Sequence, residues 1–338
     1  MSSSGADEII ETNGEHLTET SNSDNTQTLS VVDENDNRPN SEIFKESSNN
    51  IDPESLSMQA MVEEVRTKFF QDIETNGADQ YDSTDIELIR NDNWQVERFI
   101  RRKKSVDASV EMLKNTLRWR HQMLMPQLQD TDFPEEFFKV GAMFGYENDL
   151  SGNGCVYLRV RLHRKIKELE THIKSFMMHI VNKVDMACNG KGLTVVFDCS
   201  GAGLTNLDMD LIWFLVDSLI KYYPYGMEHI LVYEMPWILS SAWTIIKAWM
   251  AVEFRDKIKF VSRKTITDFI ANDHLPYYMG GTCPTDYHHV PKGCRPAEVI
   301  AQEKGISEKD VKKIMKSFKP FLEEAQQEID IINSLKHD

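Results

Sequence analysis

The sequence predicts an α/β fold: a mostly parallel sheet with flanking helices, preceded by a small all-helical subdomain. Between residues 155 and 261, short β-branched or alternating runs take turns with longer apolar stretches. Strands separated by helices imply crossover connections and a parallel, buried sheet. From residue 58 to about 125, by contrast, apolar residues recur only at helical spacing. A third observation sets the limit of the folded part. Residues 1–57 hold thirteen acidic side chains against Arg38 and Lys45, with too few apolar groups to offset the entropy of ordering them. They are expected to form a disordered acidic tail, either a solvated extension or a partner-binding or phosphorylated segment.

The elements follow in order. Met58, Met61, Val62, Val65 and Phe69 mark a first helix, Ser83–Lys103 reads as a second, and Val106–Met125 as a third, with Val110, Leu113 and Leu117 on one face. Together, residues 58–127 make the helical subdomain. The segment 128–285 is the α/β domain. Its strands are 155–161, 193–198, 229–235 and 258–261; its helices are 169–188, 208–222 and 237–251. Residues 286–338 form a C-terminal extension. There Val311, Ile314, Met315, Phe318, Leu322, Ala325, Ile329 and Ile332 make a narrow helical seam over about 307–335. Pro320 is expected to kink or split it. The seam suits either a docking arm for a protein partner or a helix packed on its own domain.

The tail accounts for −11 of the net charge of −16, leaving −5 on the other 281 residues. A mildly acidic folded part argues against a nucleic-acid binder. The five cysteines show neither CxxC nor Cys/His ligand spacing, and no signal-peptide stretch opens the chain. A reduced, cytoplasmic setting fits, with no metal.

The most informative segment is 236–252, PWILSSAWTIIKAWMAV. Trp237, Ile238, Leu239, Trp243, Ile245, Ile246, Trp249 and Met250 occupy nearly every side of one helix. A surface helix should keep a polar face. An all-round apolar helix is either central to the core or covers a second apolar surface. Lys247 and several hydroxyls in so short a run argue against a membrane span.

A strand ends in Asp198 and leads through a Gly-containing turn to a long apolar helix and Tyr222-Tyr223-Pro224. Strand 229–234, Met235-Pro236, the tryptophan helix, Lys257-Ile258, Leu275-Pro276 and Gly280-Gly281 follow. This ordered series resembles the CRAL-TRIO domain of cellular retinaldehyde- and tocopherol-binding proteins and of yeast-type phospholipid transfer proteins. Arg98-Phe99-Ile100-Arg101 and Leu117-Arg118-Trp119-Arg120 resemble the family's helical lead-in, so the resemblance covers about 58–285. Gln80-Tyr81-Asp82, Asp92-Asn93-Trp94, Asp208-Met209-Asp210, Met235-Pro236-Trp237 and 274–282 (HLPYYMGGT) are most similar to the branch typified by motile sperm domain-containing protein 2. The sperm-protein domain and membrane anchor of that branch do not follow here, so no tethering role is carried over.

The resemblance implies a sheet with helices on one side and, on the other, a lipid cavity closed by a mobile gate helix. The gate falls at about 237–252. Trp243, Ile246 and Met250 would face the ligand, while Trp237, Trp243 and Trp249 would touch a membrane on opening. Phosphoinositide-binding members hold phosphates with a basic pair and a lysine; Lys103 and Lys104 supply the pair here, and Lys257 the lysine. Tyr225 stands where the family carries Glu, which keeps a hydrogen bond and loses the charge. Leu193, Val195 and Val156 fall where choline-binding members have polar groups, so the implied pocket is apolar there and suits a phosphocholine badly.

Enzyme readings are weak. Cys199 lacks the Arg that a cysteine-phosphatase loop needs six residues on, where Thr205 stands; Ser200 is not in a GxSxG elbow; Gly201 and Gly203 do not continue to GxGxxG. Asp198 is read as capping its turn. His288 and His289 lack a further ligand set, and Glu253, Arg255, Asp256 and Lys257 read either as a hinge or latch for the gate or as a solvated helix end. The expectation is a non-enzymatic protein without catalytic residues or cofactor. It would bind a phospholipid, phosphoinositide or other apolar ligand in an enclosed cavity, and carry or present it between intracellular membranes that it touches peripherally. The alternative is an adaptor of the same fold that binds proteins or membrane surfaces without lipid transfer.

Overall fold

In the computed structural model, residues 53–188, 190–250 and 252–335 are described. The expected disordered tail lies outside them up to residue 52, while 53–57 open the first helix. The helical subdomain comprises α1 (Pro53–Asn76), α2 (Ser83–Asn91), α3 (Trp94–Lys103) and α4 (Val106–Gln122). Val62, Val65 and Phe69 of α1 pack with Ile89, Phe99 and Leu113 in one core. The single helix expected over 83–103 is two. Asp92 leaves helical geometry at φ −114, ψ 114, and its carboxylate accepts the Trp94 N–H at 2.9 Å. One short polar side chain thus ends α2 and starts α3.

After α5 (Glu135–Val140), the strands β1 (Met143–Asn148), β2 (Gly154–Arg159), β3 (Leu193–Asp198), β4 (Met227–Tyr233) and β5 (Ile258–Val261) form one sheet in sequence order. β1 runs antiparallel to β2, and the other pairings are parallel. The crossovers are α6 (Glu170–Ala187), α7 (Met209–Tyr222), and α8 (Ser240–Trp249) with α9 (Val252–Arg255). β1 was not anticipated, because MFGYEN offers no sustained alternation. α10 (Ala297–Glu303) also went unread, whereas α11 (Glu308–Leu335) runs unsplit with Pro320 inside it.

Side-chain alternation divides the sheet into two faces. Val156, Val195 and Ile230, partners across three strands, face α6 and α7. Cys155, Tyr157, Val196 and Leu231 point the other way, to Ile266, Ile270, Leu275 and Tyr287 in the chain after β5, with Ile332 of α11. Gly280-Gly281 shapes that return: Gly280 sits at φ +89, and a Cβ on Gly281 would lie 2.0 Å from the Leu275 carbonyl oxygen. Both faces are therefore covered. The hollow lies on the same face as α6 and α7, which corrects the expectation of helices on one side and a cavity on the other. No helix among the described residues is long and apolar enough to cross a membrane.

Candidate functional site

The hollow lies over the α6–α7 face of the sheet, toward the carboxyl ends of β2 and β3. Its floor is Leu158, Phe197, Ile230 and Val232. These lie in register, Leu158 beside Phe197 and Phe197 beside Val232, so one row of side chains spans three strands. Ile173 and Met177 of α6 and Leu211 and Leu215 of α7 form one wall. Trp243 and Ile246 of α8, with Met250 just past its end, form the roof. The surface offered to a guest is almost entirely carbon, and the hollow gives about 250 Å³ to the centres of water-sized molecules. As a cavity volume this lies just below the range of ligand pockets, roughly 300–1,000 Å³.

α8 is not a central core helix. Within it only Ala242 is buried. Just before it Trp237 is 84% exposed, and Ile245 in its middle is 52% exposed. The helix is held at its flanks by aromatic pairs, Trp243 edge-on to Phe260 at 5.0 Å and Trp249 edge-on to Trp213 at 5.1 Å. Apolar groups thus stand on both its inner and its outer side.

Of the residues singled out from the sequence, Trp243, Ile246 and Met250 line the hollow. Val156, Leu193 and Val195 lie on the same strand face, deeper under α6 and α7, in the packed core. The lining passes to Leu158 and Phe197, two residues further along each strand. Tyr225 is exposed at φ 55, with its ring under the Arg101 guanidinium at 5.7 Å, away from the lining. Lys103 and Lys104 are exposed at the end of α3. The Lys257 ammonium donates to the Met227 carbonyl at 2.5 Å and lies 3.5 Å from Glu228. Arg102 holds its guanidinium 5.2 Å from the Phe254 ring centre, and both Phe254 and Met227 line the hollow.

Polar side chains at the rim are mostly occupied. Asn206 donates to the Arg161 and His163 carbonyls. Asp208 accepts the Leu211 N–H that starts α7 and lies 3.3 Å from His163. Burial lowers the His163 pKa despite Asp208, and burial with the nearby Lys304 charge lowers that of His172. Both changes favour neutral rings in an apolar setting. Cys199 is buried, and its thiol is pushed up to about 12 by that burial, far from nucleophilic. Asp198 accepts the Ser200 N–H at 2.9 Å, so its carboxylate holds the turn. Among the described residues no group of three His, Cys, Asp or Glu could hold a metal.

Sequence reasoning missed one wall altogether. Ile300 and Ala301 of α10 and Val311, Ile314, Met315 and Phe318 of α11 line the hollow beside α5. The signal was present in the seam at 311–318, but its target could not be read from spacing.

Residues 139–281 match the CRAL/TRIO domain family. The chain is 26% identical over 209 residues to the phosphatidylinositol transfer protein CSR1 of Eremothecium gossypii, covering 54% of this chain and 46% of that one. It is 27% identical over 229 residues to the Sec14 cytosolic factor of Schizosaccharomyces pombe, covering 61% and 78%. A CRAL-TRIO domain-containing protein of the same yeast, C3H8.02, is 25% identical over 211 residues, covering 59% and 47%. The chain thus spans about half the length of the first curated relatives it matches. The crystal structure of Sfh5 superposes with a TM-score of 0.52 at 14% identity, over 76% of this chain and 99% of that one, which shows the fold.

Proposed function

Residues 139–281 of this chain are a CRAL/TRIO domain, and from that premise we propose that it binds one amphiphilic lipid in the hollow under α8 and carries or presents it between membranes. One observation carries the reading: a nearly all-carbon hollow roofed by a helix that exposes Ile245, with Trp237 just before it, among Ser240, Ser241, Thr244 and Lys247 on its outer side. Water gains little in such a space, because too few polar partners line it. A hydrocarbon guest restores the dispersion contacts that the lining otherwise lacks. The outer side chains Trp237 and Ile245 give the roof a second apolar medium to enter when it lifts, namely a bilayer surface. Trp249 joins that contact once its pairing with Trp213 loosens. Where the cargo carries a phosphate, Lys103, Lys104 and Lys257 are its proposed contacts, reached past Phe254 and Met227. The setting is cytoplasmic, with peripheral association to intracellular membranes. The reaction is transfer without bond making.

The full chain, purified from bacterial and yeast cells and extracted with organic solvent, should yield about one lipid per chain by mass spectrometry. Ile246→Asp sets a carboxylate against the guest and should empty the hollow while leaving the circular dichroism spectrum intact. If both hosts deliver protein without stoichiometric lipid, the transfer reading fails and the adaptor reading takes its place.

A further inference from the structure

The CRAL/TRIO match ends at Gly281, and the hollow does not. Beyond that point α10 and the first half of α11 contribute Ile300, Val311, Ile314, Met315 and Phe318 to the lining. The last four are spaced i, i+3, i+4 and i+7, one face of one helix. Val311 is buried, and Ile314, Met315 and Phe318 are half-buried against the hollow.

The second half of α11 is held by different means. Ala325 and Ile332 are buried, and Ile332 joins the core on the far face of the sheet. Both terminal nitrogens of Arg159 donate to Glu328, at 3.0 and 2.7 Å. The Tyr287 hydroxyl donates to the same carboxylate at 2.8 Å, and His288 Nε2 lies 3.0 Å from it. Arg161 pairs with Glu324. Arg159 ends β2, next to Leu158 of the floor, and Arg161 follows in the adjoining turn. The helix is therefore tied to the strand that carries the floor, and the first half projects from that anchor along the hollow. Pro320 stands between the two halves, where its missing N–H weakens the helical ladder.

We propose that this C-terminal wall is the specificity-determining surface of the hollow: Ile314, Met315 and Phe318 contact the hydrocarbon end of the cargo and set the length and bulk accepted. The proposal rests on the lipid-binding reading above. The chemistry of these three side chains is carbon and thioether only, so they read shape rather than charge. Met315 adapts to irregular chains, while the Phe318 ring sets a firm limit. Shape discrimination of this kind is modest per methylene, about 10–200-fold at most, so the wall biases a distribution of cargo rather than selecting one species.

The test compares lipids extracted from full-length wild type, Met315→Ala/Phe318→Ala, and Ile314→Trp. The widened variant should shift the cargo to longer or bulkier hydrocarbon by several-fold in relative abundance. The narrowed one should shift it to shorter or slimmer hydrocarbon, each still near one lipid per chain. Identical distributions in all three overturn the proposal. Hydrogen exchange on the unmutated chain before and after lipid extraction needs no variant. Removing the cargo should expose amides in 308–319 together with those of α8. Loss of protection in α8 alone, with 308–319 unchanged, overturns it as well. Wild type that carries no lipid defeats the underlying function reading instead, so the two failures are distinct.

Discussion

At the residue scale, the joint between the two subdomains includes a buried ion pair beside the Trp119–Tyr222 stack and the Arg120–Asn182 hydrogen bond. Arg98 of α3 donates from both terminal nitrogens to Asp185 of α6, at 2.7 and 2.9 Å, and from Nε to the Pro224 carbonyl at 3.0 Å. Both charged side chains are almost fully buried, 6% and 7% exposed. The guanidinium fork suits a carboxylate and a carbonyl together in a way that an ammonium does not. Removing one partner leaves a buried charge uncompensated. Asp185→Ala should therefore lower unfolding free energy by about 3–5 kcal/mol, read as the urea midpoint of the full chain. A loss under about 1 kcal/mol would mean that water already reaches the pair. The sequence displayed Arg98 only as part of a motif; its partner lies 87 positions away, beyond any local pattern. Glu328 follows similar logic with a titratable consequence. Burial alone would raise its carboxyl, but hydrogen bonds from His288 and Arg159 and the Arg159 charge outweigh it and hold it well below the usual range. Its stabilising contribution is thus fully present above the ordinary Glu value of about 4.3. It is lost only as pH falls below that, through the depressed folded value.

At the element scale, α8 shows what periodicity reveals and what it hides. Its all-round apolar character was legible and left two readings, a central core helix or a cover for a second apolar surface. Which side chains face inward came from the family resemblance and not from periodicity, because both sides read alike. The structure separates them: Trp243, Ile246 and Met250 inward, Trp237 and Ile245 outward. If the outward pair enters a bilayer, each buried side chain contributes at most about 1.5–3 kcal/mol. Trp237→Ala and Ile245→Ala should then each weaken co-sedimentation with anionic vesicles by roughly tenfold, with stability within about 0.5 kcal/mol of wild type. Unchanged vesicle binding in the double variant would remove the outer side as the membrane contact. α11 carried the same ambiguity. Its seam was plain, yet the seam divides near Pro320 into a half that lines the hollow and a half that closes the core. β1 escaped notice because its burial pattern, dictated by an antiparallel neighbour and the chain after β5, is not written as alternation in MFGYEN. The remaining strands were readable because short β-branched or alternating runs at 155–161, 193–198, 229–235 and 258–261 are separated by helices, as parallel crossovers require.

At the scale of the whole molecule, the position of the hollow follows from where helices cease to cover the sheet. α6 and α7 seal the amino-terminal half of one face over Val156, Val195 and Leu193. Two residues further along β2 and β3, and on β4 from Met227 onward, the sheet faces the space left between α6 and α7 on one side and α8 and α11 on the other. Sequence reading placed the pocket too deep because strand spacing gives the face but not the depth at which neighbouring helices end. A hollow of this size has an energetic signature. Interiors are otherwise close-packed, so an empty one forfeits contacts along its whole lining. A bound lipid recovers them, and a ligand that binds only the folded state stabilises it by about 2.7 kcal/mol at a hundredfold excess over its dissociation constant. For a domain of this size that is roughly 5–10 °C in Tm. Extracted protein should therefore melt lower by about that interval than protein as purified, and regain the difference when incubated with vesicles made from its own extracted lipid. The gain should track lipid occupancy measured on the same samples, because the stabilisation acts through binding alone. Melting curves that coincide with and without lipid would mean that α8 and α11 collapse to fill the space, and that the hollow is not maintained for a guest.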